Sequence, residues 1–504
     1  MAATVDRTRG LRRPNLLYIL SDQHCPFVTG CYGDPLVETP HLDRLAAAGV
    51  TMDAAYCPSP ICGPSRMSML TGLHPFQNRS WTNRDILDSS IPTMAHSLGA
   101  AGRRPVLIGR LHSMGPDQRR GYAERLVGDH SPNYAGAGPV ADRGALDGTA
   151  GPDHASLARS GAGQSGYEVH DEEVTAAAVR FLQREADRRR TNPDCEPFCL
   201  TVGLMLPHPP YVARAADYRR YADRIGLPRK PEFPQRAVPE YLRWWREHTG
   251  LTRTTEAETL RSRAAYWALV TSMDRMIGRV LAALRTGGLE EDTLIVYTSD
   301  HGDMLGEHGM FWKHTFYEES VRVPLIMAWP GRIRAGTRSD RVVSALDVTA
   351  TILDATDAQA LPGSPGRSLL PLLDGGSWRD EAFSEYCSDE AWGPPDGCFQ
   401  RMIRRDEWKL VCYHGSNRAA DMQLFNLKED PRELVNCASD LGCRETVRNL
   451  RALLYADWDP EQVRVQMAAN RARHVIHHGW ARATEPHSEH LWDLRGEMFY
   501  LDPA

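Results

Sequence analysis

Short apolar runs recur along the chain, each followed by a polar turn or by a stretch of helical periodicity. The runs at 16–20, 106–108, 198–205, 294–298 and 325–328 read as buried strands. Between them, 174–189 and 264–285 space their apolar residues as helices do, and the second stops at Gly287-Gly288. Strands alternating with helices of this length predict an α/β domain whose sheet is covered on both faces. After about Pro371 the pattern changes. Segments 382–387, 401–405, 408–413 and 423–427 read as antiparallel strands and 445–458 as a helix, which predicts a smaller C-terminal α+β domain. The expected division is 14–370, 371–460 and a tail, 461–504, to which the pattern assigns no role. Two stretches interrupt the alternation. One, 133–166, is rich in Gly, Ala, Asp and Ser and is expected to be a long loop or lid. The other, 211–254, carries many Arg, Pro and Tyr and reads as an insertion near the active face.

The 504 residues are 42% hydrophobic and 25% charged, ordinary values for a soluble globular protein. A net charge of −6 over this length argues against nucleic acid as the main ligand. No apolar run approaches the roughly 18 residues of a membrane span. The basic segment 1–13 leads into an apolar run too short for a signal-peptide core, with no small-residue cleavage site. Together with eleven cysteines, this points to a reducing, cytoplasmic setting.

The candidate chemistry sits where the strands end. Ligands of open α/β sheets bind beyond the carboxyl ends of the strands. There the chain places Asp22-Gln23, Arg110 and His112, His208, and Asp300-His301. Asp22 and Asp300 on one face need a cation or a shared proton. A divalent metal is the simplest solution, with Gln23 and His301 adding an oxygen and a nitrogen; the plainer reading of either Asp is a helix or turn cap. Cys62 opens the string Cys62-Gly63-Pro64-Ser65-Arg66, which continues through an apolar helix to Thr71-Gly72. Pro64 suits the first turn of a helix, so Cys62 stands at an N-terminus, where free N–H groups favour an anion. A buried structural cysteine is the commoner fate of a lone thiol. Cys57 lacks the Pro-Ser-Arg that follows Cys62.

The Cys62 string resembles the maturation motif of the type I, formylglycine-dependent sulfatases of the alkaline phosphatase-like superfamily. Further segments match in the same order: 14–22, 39–46, 299–308, 313–324 and, in the C-terminal region, 424–431, so the resemblance spans about 14–440. It implies a large mixed, mostly parallel sheet sandwiched by helices and the hydrolysis of a small sulfate ester. Cys62 would be oxidised to an aldehyde by a formylglycine-generating enzyme and would act as its hydrate. By the same resemblance Asp22, Asp300, His301 and the modified Cys62 bind one metal, with Gln23 a weaker candidate. Arg66 holds the hydrated aldehyde, Arg110 and His112 approach its hydroxyls, and His208 and Lys313 meet the sulfate and the leaving group. One hydroxyl would attack sulfur and expel the alcohol; the second, deprotonated by a base such as His112, would release sulfate.

Three departures stand out: Gln23 in place of a second Asp, Arg110 in place of Lys, and His301 in place of Asn. They also resemble choline-sulfatase-like enzymes and phosphonate monoester hydrolases. They make Mn²⁺ a candidate beside Ca²⁺, which is the first choice. The competing readings are a phosphonate monoester or phosphodiester hydrolase on the same site, and a non-catalytic binding protein with unmodified Cys62. Taken singly, His208 reads as a packed loop histidine and Lys313 as a surface lysine. His24, His308 and His314 read as structural or supporting residues. Trp81, Trp244 and Trp245 are candidates to bind a sugar ring or a quaternary ammonium, though tryptophans are more often core. The long, aromatic-rich tail makes a homo-oligomer an expectation.

Overall fold

The computed structural model describes residues 13–137, 143–230, 232–234, 238–389, 393–415 and 421–503. The basic segment 1–12 lies outside the described residues. The fifteen strands, in chain order, are β1 (Asn15–Asp22), β2 (Val50–Tyr56), β3 (Pro105–Gly109), β4 (Glu124–Arg125), β5 (Gly161–Gln164), β6 (Cys199–Pro207), β7 (Val212–Ala213), β8 (Thr293–Ser299), β9 (Leu325–Ala328), β10 (Thr337–Ser344), β11 (Glu381–Ser388), β12 (Cys398–Arg405), β13 (Trp408–His414), β14 (Asp421–Asn426) and β15 (Tyr500–Leu501).

Eight of them form one sheet in the order β10-β2-β9-β8-β1-β6-β3-β4. β1 lies at its centre, parallel to β6 and β8, with Leu17 opposite Leu200 on one side and Ile295 on the other. Only β9 runs antiparallel to its neighbours. The sheet is therefore mixed and mostly parallel. All eight residues of β1 are buried, as expected of a strand covered on both faces. Along β3, Val106 and Ile108 pack into the main core, while Leu107 packs with Met67, Leu70 and Ala95 on the other side. Helices Gly166–Thr191, Glu256–Thr286 and Pro40–Ala48 belong to the first layer; Cys62–Thr71, Met94–Ala100 and Ala345–Ala355 belong to the second.

The sequence pattern anticipates β1, β3, β6, β8 and β9 but not β2 or β10. β10 is the edge strand, where Arg338, Asp340 and Arg341 face solvent and no apolar row is needed. The two long helices also begin earlier than periodicity predicts. Ser165 caps one. The other starts at a capping box in which Thr255 and Glu258 satisfy each other's backbone N–H.

β11 to β14 form an antiparallel meander. Helix Arg444–Leu454 covers it with Val447, Leu450 and Leu454 on Ile403, Leu410 and Leu424. Each leucine so buried contributes about 2 kcal/mol.

The tail is folded onto the body. Helix Pro460–Thr484 is followed by a return strand, β15, which pairs with β5 opposite Gln164 and Gly163. On the way, the carbonyl of His490 accepts from Asp129 N (3.0 Å) and Trp492 N donates to Asp129 O (2.7 Å). A Cβ on Gly128 would stand 1.7 Å from the His490 carbonyl oxygen, so only glycine permits this approach.

Candidate active site

Four strands deliver their C-terminal residues to one edge of the sheet. Asp22 is the last residue of β1, and Asp300-His301 follow β8. Arg110 and His112 follow β3, and His208 follows β6. Cys62 is the first residue of a helix whose ten residues are all buried, and Gly72 ends that helix in the left-handed conformation at φ 67°. Gln23, His112, Trp312 and His314 also adopt positive φ, although none is glycine. Such backbone strain collects at functional sites.

One donor atom each from Asp22, Cys62, Asp300 and His301 lies within 4.8 Å of the others, and all four residues are buried. Cys62 Sγ is 3.0 Å from His301 Nε2 and 3.4 Å from Asp22 Oδ1. His301 Nδ1 donates to Gly302 O at 2.9 Å, which leaves the Nε2 lone pair facing the cluster. Burial pulls the His301 imidazole down to about 4, so the ring is neutral and fit to ligate. The group can hold a divalent ion.

Without an ion, arginines hold the two carboxylates together. Arg66 Nε donates to Asp300 Oδ2 (2.7 Å) and Arg66 NH2 to Asp22 Oδ2 (3.2 Å). Arg110 Nε donates to the same Asp22 oxygen at 2.5 Å. Burial alone would push the Asp22 carboxyl up; Arg110, His208, Arg66 and Lys313 reverse this and hold it well below the usual carboxylate range. Asp22 Oδ1 accepts only from the thiol, so it still faces Cys62.

Gln23 does not join this ring of ligands. Its Oε1 accepts from Lys313 Nζ at 2.6 Å, and its Nε2 donates to Asp303 Oδ2 at 2.6 Å. Lys313 is buried, and its Nζ also reaches Cys62 Sγ at 3.1 Å.

The two histidines differ in what they offer. Arg110 NH2 donates to His112 Nδ1 at 2.9 Å, so the neutral ring carries its proton on Nε2. His208 Nδ1 donates to Pro209 O at 2.7 Å, which leaves Nε2 as an acceptor. Burial, reinforced by Arg110 at His112 and by Lys313 at His208, holds both rings neutral, well below the ordinary imidazole value. The expectation that His112 is the base therefore meets a ring whose one lone pair is already engaged.

Over these groups opens a cavity of about 370 Å³, walled by Trp81, Trp245, Trp312, Tyr386 and His314, with His208 and Lys313 at its inner end. Trp81 and Trp245 line it as expected of substrate-contacting aromatics; Trp244 instead borders a separate surface cavity beside Tyr413. His24 is structural, with Nδ1 2.6 Å from Tyr297 Oη.

These features match known proteins. The sulfatase family model matches residues 14–358, and a model of the N-sulphoglucosamine sulphohydrolase C-terminal region matches 306–458. The chain belongs to the sulfatase family. This sulfatase is 32% identical to a choline-sulfatase of Rhizobium meliloti over 92% of its own length and 90% of that protein. It is 31% identical to an arylsulfatase K of Danio rerio over 88% and 84% of the two chains. Its fold superposes on a phosphonate monoester hydrolase of Agrobacterium radiobacter with a TM-score of 0.70, at 23% identity, over 92% and 96% of the chains. The sulfatase is an enzyme of the alkaline phosphatase-like superfamily. No helix among the described residues is long and apolar enough to cross a membrane.

Two residues of this sulfatase's site carry no motif signal in the sequence. Asp129 accepts from Arg110 NH1 (3.3 Å) and from His112 N (2.8 Å), so it orients both. Asp303 accepts from Gln23, from Tyr211 Oη (2.7 Å) and from Trp312 N (3.0 Å), fixing one wall of the cavity. Asp303 lies three residues after Asp300 in a segment already noted; Asp129 lies in a stretch with no periodicity at all.

Proposed function

We propose that this chain hydrolyses a small sulfate ester to an alcohol and inorganic sulfate, with Cys62 matured to formylglycine by a formylglycine-generating enzyme. The observation that carries the reading is the state of Cys62 itself. Burial, then the charge of Asp22, pushes its thiol up to about 12, so at neutral pH it is protonated and a poor nucleophile. Yet it stands at a helix N-terminus among ligands, lysine and two arginines. An oxidised side chain accounts for both facts: as a hydrate it would supply one hydroxyl to attack sulfur and a second whose deprotonation releases sulfate.

The chain's own residues divide the remaining work. Asp22, Asp300 and His301 would hold a divalent ion beside residue 62, which supplies Lewis acidity when bound. Ca²⁺ is the first choice, and the imidazole nitrogen makes Mn²⁺ the alternative. Lys313 carries the proton for the departing alkoxide. His208, with Nε2 free, is the better-placed base; His112 presents Nε2–H and suits a sulfate oxygen. Arg110 fixes the His112 tautomer, and Arg66 keeps the two carboxylates at ligating distance. Gln23 orients Lys313. Eleven unpaired cysteines support a reducing, cytoplasmic compartment.

The aromatic walls limit the alcohol to a compact group, one sugar ring or one quaternary ammonium, the second being what a choline-sulfatase takes. Gln23 and His301 favour one further reading, phosphonate monoester or phosphodiester hydrolysis on the same groups. Mass spectrometry of the Cys62 peptide, from protein co-expressed with the maturing enzyme, tests the nucleophile. The mass loss of a thiol becoming an aldehyde supports it, and an intact thiol sinks it. Comparing kcat/KM for aryl sulfates and aryl phosphonates then decides between the two esters.

A further inference from the structure

A second buried cluster lies away from Cys62, where the Gly306-Glu307-His308-Gly309 segment and Glu319 meet the C-terminal sheet. His308, Glu319 and Glu433 each bring one donor atom, all within 4.8 Å of one another. Their relative exposures are 1%, 8% and 1%. His308 Nε2, Glu319 Oε2 and Glu433 Oε1 have no hydrogen-bond partner among the described residues. Three buried polar atoms that converge unpaired are costly unless something sits between them.

The other oxygens of the pair are engaged. Glu319 Oε1 accepts from Lys230 Nζ at 2.6 Å, and Glu433 Oε2 accepts from Glu318 N at 2.8 Å. Lys409 Nζ donates to Glu318 Oε1 at 2.9 Å. It also touches Glu433 Oε1, though not in the orientation of a hydrogen bond. The surrounding charges leave a deficit. Glu307, Glu318, Glu319 and Glu433 face Lys230 and Lys409, two more carboxylates than ammonium groups. Arg263 and Arg322 stand at the rim, 3.9 Å from Glu307 and 3.8 Å from Glu318, and are paired with those outer carboxylates. Burial, partly offset by Lys409, raises the Glu433 carboxyl to about 7, as in a carboxylate pair lacking a cation.

The His308 side chain is held for this purpose. Its ring stacks on Tyr317 with centroids 4.0 Å apart, and its backbone is left-handed at φ 54°. We propose that His308, Glu319 and Glu433 form a second divalent-metal site, structural rather than catalytic, which ties the C-terminal sheet to the catalytic body. One imidazole nitrogen and two carboxylate oxygens suit a zinc-class ion, the fourth position being open to water. Donor atoms on such an ion stand roughly 3–4 Å apart, so the three side chains close by only a few tenths of an ångström to ligate. None of them belongs to the Asp22, Cys62, Asp300 and His301 set, so the two sites can be emptied separately.

The test is metal content of the full chain after equilibration with Zn²⁺ and gel filtration, read by elemental mass spectrometry. Two ions per chain are expected in the wild type, one in Glu319→Gln, one in His308→Ala, and one in Asp300→Asn, which empties the catalytic set instead. In Asp300→Asn the remaining ion should raise the melting temperature, and chelation should reverse the rise. The isosteric Glu319→Gln decides if His308→Ala does not fold. A single ion in the wild type, lost with Asp300→Asn and kept in Glu319→Gln, would overturn the proposal and leave a proton or a water molecule between the three groups.

Discussion

Lys313 Nζ stands 3.1 Å from Cys62 Sγ, and the same ammonium donates to Gln23 Oε1 at 2.6 Å. A buried lysine held by a neutral amide keeps its charge available for whatever residue 62 attacks. Replacing it with Met preserves volume and removes the acid. The expected result is a fall in kcat of about 10²–10³-fold, the scale of losing one preorganised donor. The Cys62 peptide should show the same mass as in the wild type. A loss below about tenfold would remove Lys313 from the chemistry.

Arg66 joins Asp22 to Asp300 with both carboxylates fully buried. Arg66→Ala leaves two like charges uncompensated in the metal-free protein. Breaking a buried pair in this way costs about 3–5 kcal/mol. Thermal unfolding in the presence of chelator should show the loss, and added divalent ion should recover part of it. A melting temperature insensitive to the metal in this variant would mean that Arg66 does not stand in for the cation.

Much of this was legible in the chain. Asp22, Asp300, His301 and Cys62 could be paired in advance because strand ends of a parallel sheet converge, and the motif around Cys62 is narrow. What stayed hidden depends on contacts far apart in sequence. Asp129 sits in an irregular stretch, and its partners Arg110 and His490 lie 19 and 361 residues away. The His112 tautomer follows from an arginine hydrogen bond that no spacing encodes. β10 escaped because an edge strand can be polar.

The pH profile follows from the two neutral histidines. Burial depresses both His112 and His208, with Arg110 and Lys313 adding to it. A base whose pKa is lowered in the folded enzyme stays unprotonated as the pH falls through the ordinary histidine value of about 6.5. The acid limb of kcat/KM, which reports the free enzyme, should therefore lie below that value. An acid limb centred at about 6.5 or higher would show that neither ring is the base in this environment.

The tail supplies the last constraint on the site. Asp129 orients Arg110 and the backbone of His112, and its own backbone is clamped on both sides by the His490 carbonyl and the Trp492 amide. Trp492 is anchored in turn, with Nε1 donating to Glu173 at 2.7 Å and its ring edge-on to His170. Deleting residues 486–504 removes the clamp while leaving the helix Pro460–Thr484 and every proposed metal ligand in place. Arg110 and His112 then lose their fixed geometry, and a displacement of about 1 Å costs on the order of 10²-fold in rate. The expected outcome is a lower kcat with metal content and Cys62 maturation unchanged. A truncated chain with full kcat would make β15 and the 490–492 turn a stabilising wrap without a hold on the chemistry.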